Sequence, residues 1–242
     1  MKILQLNVWD GKVSGALLNF IEQNDFDLIC LQEAVWSPKN DILEVFSASV
    51  EQIKTASRLN YESRATNYTI QAFDSEIHQG NVILSRTKIV DEKIIAAYGE
   101  EKTVSSSQEL LDHCFKAQLV KLENGLNVVN YHGYWVPSPV GDETTVAAMQ
   151  KVAQMIKNTD GPLVMCGDLN VIHESPAMRQ LDFLKDLTHE YHINNTLSGL
   201  KFDSNIACDH ILVNDQIKVL DFKVLDVIIS DHKPLIAEID LQ

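Results

Sequence analysis

The stretch KAQLVKLENGLNVVNYH, residues 116–132, constrains the fold of this chain more than any other. Asn124-Gly125 favours the backbone angles of a two-residue hairpin turn, so the flanking apolar runs are expected to pair as antiparallel strands. Comparable runs recur along the chain: MKILQLNV, DLICLQE, YTIQAF, GNVILSR, KIIAAY, LVMCG, ACDHILVN, IKVLDFKVL and KPLIAEIDL. Amphipathic stretches alternate with them. GALLNFIEQN places Leu17, Leu18 and Ile21 on one face. The span from Asp41 to Ile53 offers Ile42, Val45, Phe46, Val50 and Ile53 at helical spacing, and TTVAAMQKVAQMIKN follows the hairpin. Ser175-Pro176 reads as the cap and first turn of a short helix. Longer loops are expected near 99–108 and 186–205. With no repeat or linker, residues 1–242 are expected to form a single α/β domain.

Composition narrows the function classes. The chain has 242 residues, 45% hydrophobic and 22% charged, as an ordinary globular protein does. No apolar run reaches the roughly 18 residues of a membrane span, and MKILQLNVWDG reads as a first strand, so a cytoplasmic monomer is expected. A net charge of −14 argues against a broad grip on nucleic acid, which rests on Lys and Arg neutralising phosphates. Cys30, Cys114, Cys166 and Cys208 stand far apart in apolar contexts, as free buried thiols without zinc-ligand spacing.

The strand ends carry the chemistry. Asn7 closes the first strand, Glu33 the second and His132 the hairpin's return strand; Asp168 and Asn170 close LVMCG. Asp209 lies in IACDHILV, and Asp231-His232 in IISDHKPL. Residues i and i+2 of an extended chain face the same way, so Asp168 and Asn170 would reach out together. Singly these residues could be a cap, a surface ion pair and a core histidine. Ending successive strands, they form one set. Asp231 and His232 can join it only if the chain turns there, as Ser230 and Pro234 suggest.

The segments LNVWDG, CLQEAVW, GNVILSR, VNYHGYW, CGDLNVIHESPAM, CDHILVN and SDHKPL resemble the successive motifs of the endonuclease/exonuclease/phosphatase superfamily, whose fold is the DNase I-like α/β sandwich. They occur in family order across essentially the whole chain. The resemblance implies two packed, mostly antiparallel or mixed sheets flanked by helices, and a Mg²⁺- or Mn²⁺-dependent phosphoesterase. Glu33 would be the main metal carboxylate, with Asn7 and Asp231 beside it, hard oxygen donors suited to such ions. Asp168 would orient or deprotonate the attacking water, and Asn170 would position water or a phosphate oxygen. His232, paired with Asp209, and His132 would meet the phosphate, and Asn81 of GNVILSR would belong to the substrate site. Apurinic-site nucleases of the superfamily carry an acid two residues after the first-strand Asn. Here that position is Trp9, and the role does not pass to Asp10.

Three decoys drop out. HEYH (residues 189–192) is one residue short of a zinc-protease motif, contiguous Ser230-Asp231-His232 cannot form a relayed triad, and no Gly-rich phosphate loop exists. Trp9, Trp36 and Trp135, the chain's 3 tryptophans, each follow a proposed site residue closely. They are expected either to pack loops onto the sandwich or to rim the cleft and stack on the substrate's organic part. That substrate is a small organic phosphate or a nucleic acid. A nuclease is the alternative within the enzyme class, and a non-catalytic binding module the alternative outside it.

Overall fold

The computed structural model describes the chain apart from residues 40–42, 73, 105–112 and 202–204. In chain order the strands are β1 (Lys2–Asn7), β2 (Leu28–Trp36), β3 (Tyr61–Ala72), β4 (Ser75–Ser85), β5 (Ile89–Tyr98), β6 (Lys102–Val104), β7 (Phe115–Leu122), β8 (Asn127–Tyr131), β9 (Leu163–Asp168), β10 (Lys185–Asp186), β11 (Asp209–Val213), β12 (Ile217–Val224) and β13 (Leu235–Leu241). Among the described residues the α-helices of four residues or more are α1 (Ser14–Glu22), α2 (Val50–Ser57), α3 (Glu143–Lys157) and the single-turn α4 (Leu187–Glu190).

The strands form two mixed sheets. Seven run in the order β12-β13-β1-β2-β4-β3-β6 and six in the order β10-β11-β9-β8-β7-β5. Period-two alternation then sorts the side chains into layers. Ile3, Leu28, Cys30 and Ile83 of the first sheet meet Val120, Val128, Val164 and Ile211 of the second in the central core. The next residues along, Leu4, Leu6, Ile29 and Leu31, face outward and are covered by Leu17 and Ile21 of α1 and by Val50 and Ile53 of α2. On the far side, Val129, Tyr131 and Met165 pack under Met149, Val152 and Ile156 of α3. This is the DNase I-like α/β sandwich. All four cysteines are buried free thiols. No helix among the described residues is long and apolar enough to cross a membrane.

Three local expectations need correction. The β7–β8 hairpin forms, but its loop has an extra residue. Leu122 N–H donates to Leu126 O (2.8 Å), so Glu123, Asn124 and Gly125 make the turn, with Gly125 at φ +89°. The helix expected across Asp41 to Ile53 is not continuous: Leu43 is helical, the chain turns through 44–47, and α2 starts afresh at Val50, where Ser49 and Gln52 close a capping box. Val45 and Phe46 are exposed, and Asp41 and Ile42 lie outside the described residues. At Ser175-Pro176 no α-helix follows, only a 3-10 turn over Met178–Leu181. Ser175 Oγ is committed to Val140 O and Ala177 N.

Buried amides stitch the sheets together. Asn130 Nδ2 donates to Leu31 O (2.9 Å) and Val82 O (3.0 Å) across the gap, and its Oδ1 accepts from Gln32 Nε2 (2.7 Å). Gln32 and Gln5 exchange both amide bonds, and Gln5 Nε2 reaches Asp209 Oδ1 at 3.0 Å. Truncating one member leaves the others desolvated and unpaired. Asn130→Ala is therefore expected to lower unfolding free energy by about 2–4 kcal/mol in urea titration. A cost below about 0.5 kcal/mol would mean the apolar core alone holds the sheets.

Candidate active site

The site lies where the ends of β1, β2, β8, β9 and β11 converge with the turn before β13. Asp168 and Asp209 sit directly opposite each other on the antiparallel β9–β11 pair. Two like charges so placed repel. His232 resolves the conflict by entering between them. Its Nδ1 donates to Asp209 Oδ2 at 2.8 Å, and its Nε2 lies 3.7 Å from Asp168 Oδ2. The chain bends through residues 229–231, so Asp231 also reaches the cluster, its Oδ1 lying 4.0 Å from His232 Nε2.

The charge states follow. Burial alone would disfavour the His232 cation, but Asp209 and Asp168 outweigh it and raise the ring's pKa well above its ordinary value. Asp168 shows the converse. Burial pushes its carboxyl up, yet His232, His132 and the Asn7 amide hold it below the usual carboxylate range. His132 Nε2 stands 3.6 Å from Asp168 Oδ2 and 3.9 Å from Glu33 Oε1. Desolvation lowers its pKa, so it is the neutral member of the pair, and its buried Nδ1 has no hydrogen-bond partner.

Glu33 lacks such compensation. A register shift between Leu31 and Ala34 interrupts β2–β4 pairing, and Glu33 takes φ +51°, which swings its carboxylate into the cleft. Burial and then the Asp10 charge raise its pKa to about 7, with Asp231 adding to the rise, and together they outweigh the Asn7 hydrogen bond and the His232 charge that pull it down. Asp231 is itself raised by burial. These hard oxygen donors fit a small divalent cation that would neutralise them. A second cluster, Asp168, Cys208, Asp209 and His232, brings four donor atoms within 4.8 Å. It is closed on itself. Asp209 Oδ2 already accepts from His232 and the Cys208 thiol, Oδ1 accepts from Gln5, and burial keeps the thiol protonated. The Glu33 side is therefore the better cation site.

The other expected residues divide. Asn7 bridges the carboxylates, its Nδ2 donating to Glu33 Oε1 (3.2 Å) and Asp168 Oδ2 (3.0 Å). Its Oδ1 already accepts from Trp9 N, leaving one lone pair for the expected ligand role. Asn170 does reach the cleft beside Asp168, though not by extended-chain alternation: it sits at φ +56°, its N–H on Asp168 Oδ1 and its Nδ2 on Gly133 O. Trp135 is half exposed at the cleft. Trp9 lies beside it, 6.0 Å from the Lys201 ammonium that also lines the cleft. Trp36 is moved from the rim to the core. It is 8% exposed, packed with Ala48 and Val50, because β2 runs on past Glu33 to residue 36. Asn81 is fully buried and donates to Lys116 O across the sheets, and it does not line the cleft as expected.

The cleft holds about 380 Å³ and includes three residues the sequence did not flag: His113, Phe115 and Lys201. None ends a strand within a motif, so none carried a signal. Gln5 did carry one, a polar residue inside an apolar first strand.

A sandwich whose strand ends gather these groups defines a class, and comparison agrees. The chain matches the Endonuclease/Exonuclease/phosphatase family over residues 4–232 and belongs to it. Members of this family hydrolyse phosphoester bonds and generally depend on a divalent metal; this chain is a phosphoester hydrolase. No curated protein matches it in sequence. Among solved structures it is similar to an endonuclease/exonuclease/phosphatase family protein from Bacteroides thetaiotaomicron, with TM-score 0.72, 14% identity, and 99% and 94% of the two chains covered. It is also similar to a mannosyl-6-phosphatase of that organism, with TM-score 0.68, 15% identity and both chains covered over 100%. For the human Nocturnin catalytic domain with bound sulfate, the TM-score is 0.67 at 14% identity, covering 100% and 93%. At these identities the likeness establishes the fold.

Glu33 yields a test by linkage. Its carboxyl titrates near 7 in the folded protein and near 4.5 ordinarily, so folding favours the protonated form. Without divalent cation, the group's contribution is present below about pH 4.5 and lost as pH rises through about 7. Glu33→Gln removes that loss. In EDTA at pH 8 the variant is expected to be more stable than wild type by about 1–3 kcal/mol, with the two converging near pH 4. A variant less stable than wild type at pH 8 would show that the carboxylate is already compensated.

Proposed function

We propose that the protein hydrolyses a small organic phosphoester by in-line attack of water, with Mg²⁺ or Mn²⁺ bound at Glu33, Asp231 and Asn7. The observation that carries this reading is one ionised carboxylate, Asp168, set within 3.6–3.7 Å of His132 and His232 and facing the uncompensated Glu33. When bound, the cation supplies charge neutralisation at a phosphoryl oxygen and lowers the cost of ionising Glu33.

The chain's own groups do the rest. Asp168 is too weak a base to strip a free water, but it accepts a hydrogen bond and turns the water's lone pair toward phosphorus. Asn170, pinned at Gly133 O, keeps Oδ1 and its second N–H for the water or a phosphate oxygen. His232 Nε2–H, fixed through Nδ1 to Asp209, faces the position where phosphoryl oxygens gain charge. Neutral His132 holds the opposite side. The net charge of −14 favours a small ester over a polynucleotide. We further propose that residues 1–242 act as one domain, as a cytoplasmic monomer.

Two outcomes are expected. Asp168→Asn folds but loses about 10²–10⁴-fold in kcat, measured beside a thermal melt. A rate within about threefold of wild type removes Asp168 from the mechanism. Mg²⁺ at about 100 times its Kd raises stability by roughly 2.7 kcal/mol, and Glu33→Gln abolishes most of that gain. Identical rates and melts in EDTA and Mg²⁺ would overturn the metal assignment.

A further inference from the structure

An apolar recess of about 150 Å³ adjoins the cleft, sharing Trp135, Asn170 and His232 with it. Its remaining walls are Val136, Pro137, Pro139, Leu197, Ile206 and Cys208. Two loops build it, and each is fastened to a segment bearing site residues. The Trp135 loop is tied to the Asp168–Asn170 segment: Gly133 N–H donates to Asp168 O (2.8 Å), and Ile172 N–H to Pro139 O (2.9 Å). A Cβ on Gly133 would lie 2.1 Å from Leu169 O, so the approach is as close as backbone allows. The opposite wall is tied to the Asp231-His232 turn. Leu197 forms an isolated bridge with His232, Ser198 N–H donates to Asp231 O (2.8 Å), and Lys233 N–H to Thr196 O (2.6 Å). Two prolines stiffen the rim. The recess is therefore preformed at the phosphate position rather than a gap between mobile loops.

We infer that this recess holds the organic group of the substrate, and that the group is an uncharged apolar moiety of about one ring. The inference rests on the phosphoester reading of the cleft. Size sets the upper limit, since a cavity near 150 Å³ accommodates a benzene-sized molecule. Lining sets the polarity. Among the described lining residues, apart from Asn170 and His232, which face the phosphate, the polar side-chain groups are the Trp135 indole N–H and the Cys208 thiol, the latter already directed at Asp209. A hexose or a nucleobase would bury hydroxyls or ring edges here without partners, which disfavours both. Trp135, half exposed at the mouth, supplies a flat face against which a ring can lie.

The test compares primary-alcohol phosphate esters of similar leaving-group chemistry: benzyl, methyl, glyceryl and hexosyl, each as monoester and methyl diester, with Mg²⁺ present. The benzyl ester is expected to exceed the others in kcat/KM by about 10- to 100-fold, the scale of burying one apolar ring. Ile206→Asn and Trp135→Ala should each collapse that ratio toward one. A binding arm needs no turnover: benzylphosphonate should bind at least about tenfold tighter than methylphosphonate by calorimetry, and Ile206→Asn should remove the difference. Hydrolysis of glyceryl or hexosyl esters at or above the benzyl rate overturns the recess assignment and leaves the phosphoesterase reading intact. No hydrolysis of any ester, with benzylphosphonate still preferred, sinks the proposed reaction while the recess assignment stands. Equal binding of the two phosphonates overturns the recess assignment outright.

Discussion

The structure depends on a seam of amides between the two sheets. Apolar side chains can slide past one another with little change in energy, but Gln5, Gln32, Asn130 and Gln118 cannot, because each finds its partners at one offset. Asn67 and Asn81 add bonds to the Lys116 backbone further along the same interface. Burying so many amides costs desolvation, and pairing them returns it only when both sheets are in place. The seam ends on Asp209 Oδ1. The same network that sets how the sheets face each other thus sets the orientation of His232.

From Asp209 outward the site divides into two electrostatic halves. On one, Asp168 and Asp209 flank the His232 imidazolium, and each carboxylate also accepts hydrogen bonds from within the protein. On the other, Glu33, Asp10 and Asp231 crowd together with Lys201 near Asp231 and Lys12 on Asp10, and the balance stays negative. Asn7 joins the halves by donating to a carboxylate of each. A group that bridges a compensated and an uncompensated carboxylate couples them.

Much of this was legible in the sequence. Apolar runs gave nearly every strand, and polar residues at their ends gave His132, Asp168, Asp209 and His232; Glu33, expected to close β2, stands instead at a register shift within it, since β2 runs on to Trp36. What could not be read was depth. Trp36 shares a motif with Glu33 and Asn81 lies in a motif of its own, yet the continuation of β2 to residue 36 and a cross-sheet bond to Lys116 O take them inward. Val45 and Phe46 matched a helical period that Ser49's capping geometry overrode. Lys201 and Phe115 arrive from elements whose neighbours in space are remote in sequence, and periodicity carries no information about that.

Backbone strain follows the site as well. Trp9, Asp10, Glu33 and Asn170 all have φ near +50°, a region costly for residues with a Cβ, and each stands where a strand hands a side chain to the cleft. Regular alternation would have sent Glu33 away from Asp168, since Gln32 before it already faces the inter-sheet seam. The strain persists because local bonds over-determine it: Val8 N–H on Gln32 O, Trp9 N–H on Asn7 Oδ1, and Asn170 held at both its N–H and its amide. Relaxing Asn170 into extended chain would also break the bond its N–H makes to Asp168 Oδ1, and relaxing Trp9 would free the Asn7 amide that donates to Glu33 and Asp168. Strain and preorganisation are therefore the same feature, and the stability it consumes is drawn from the amide seam and the three apolar layers behind it.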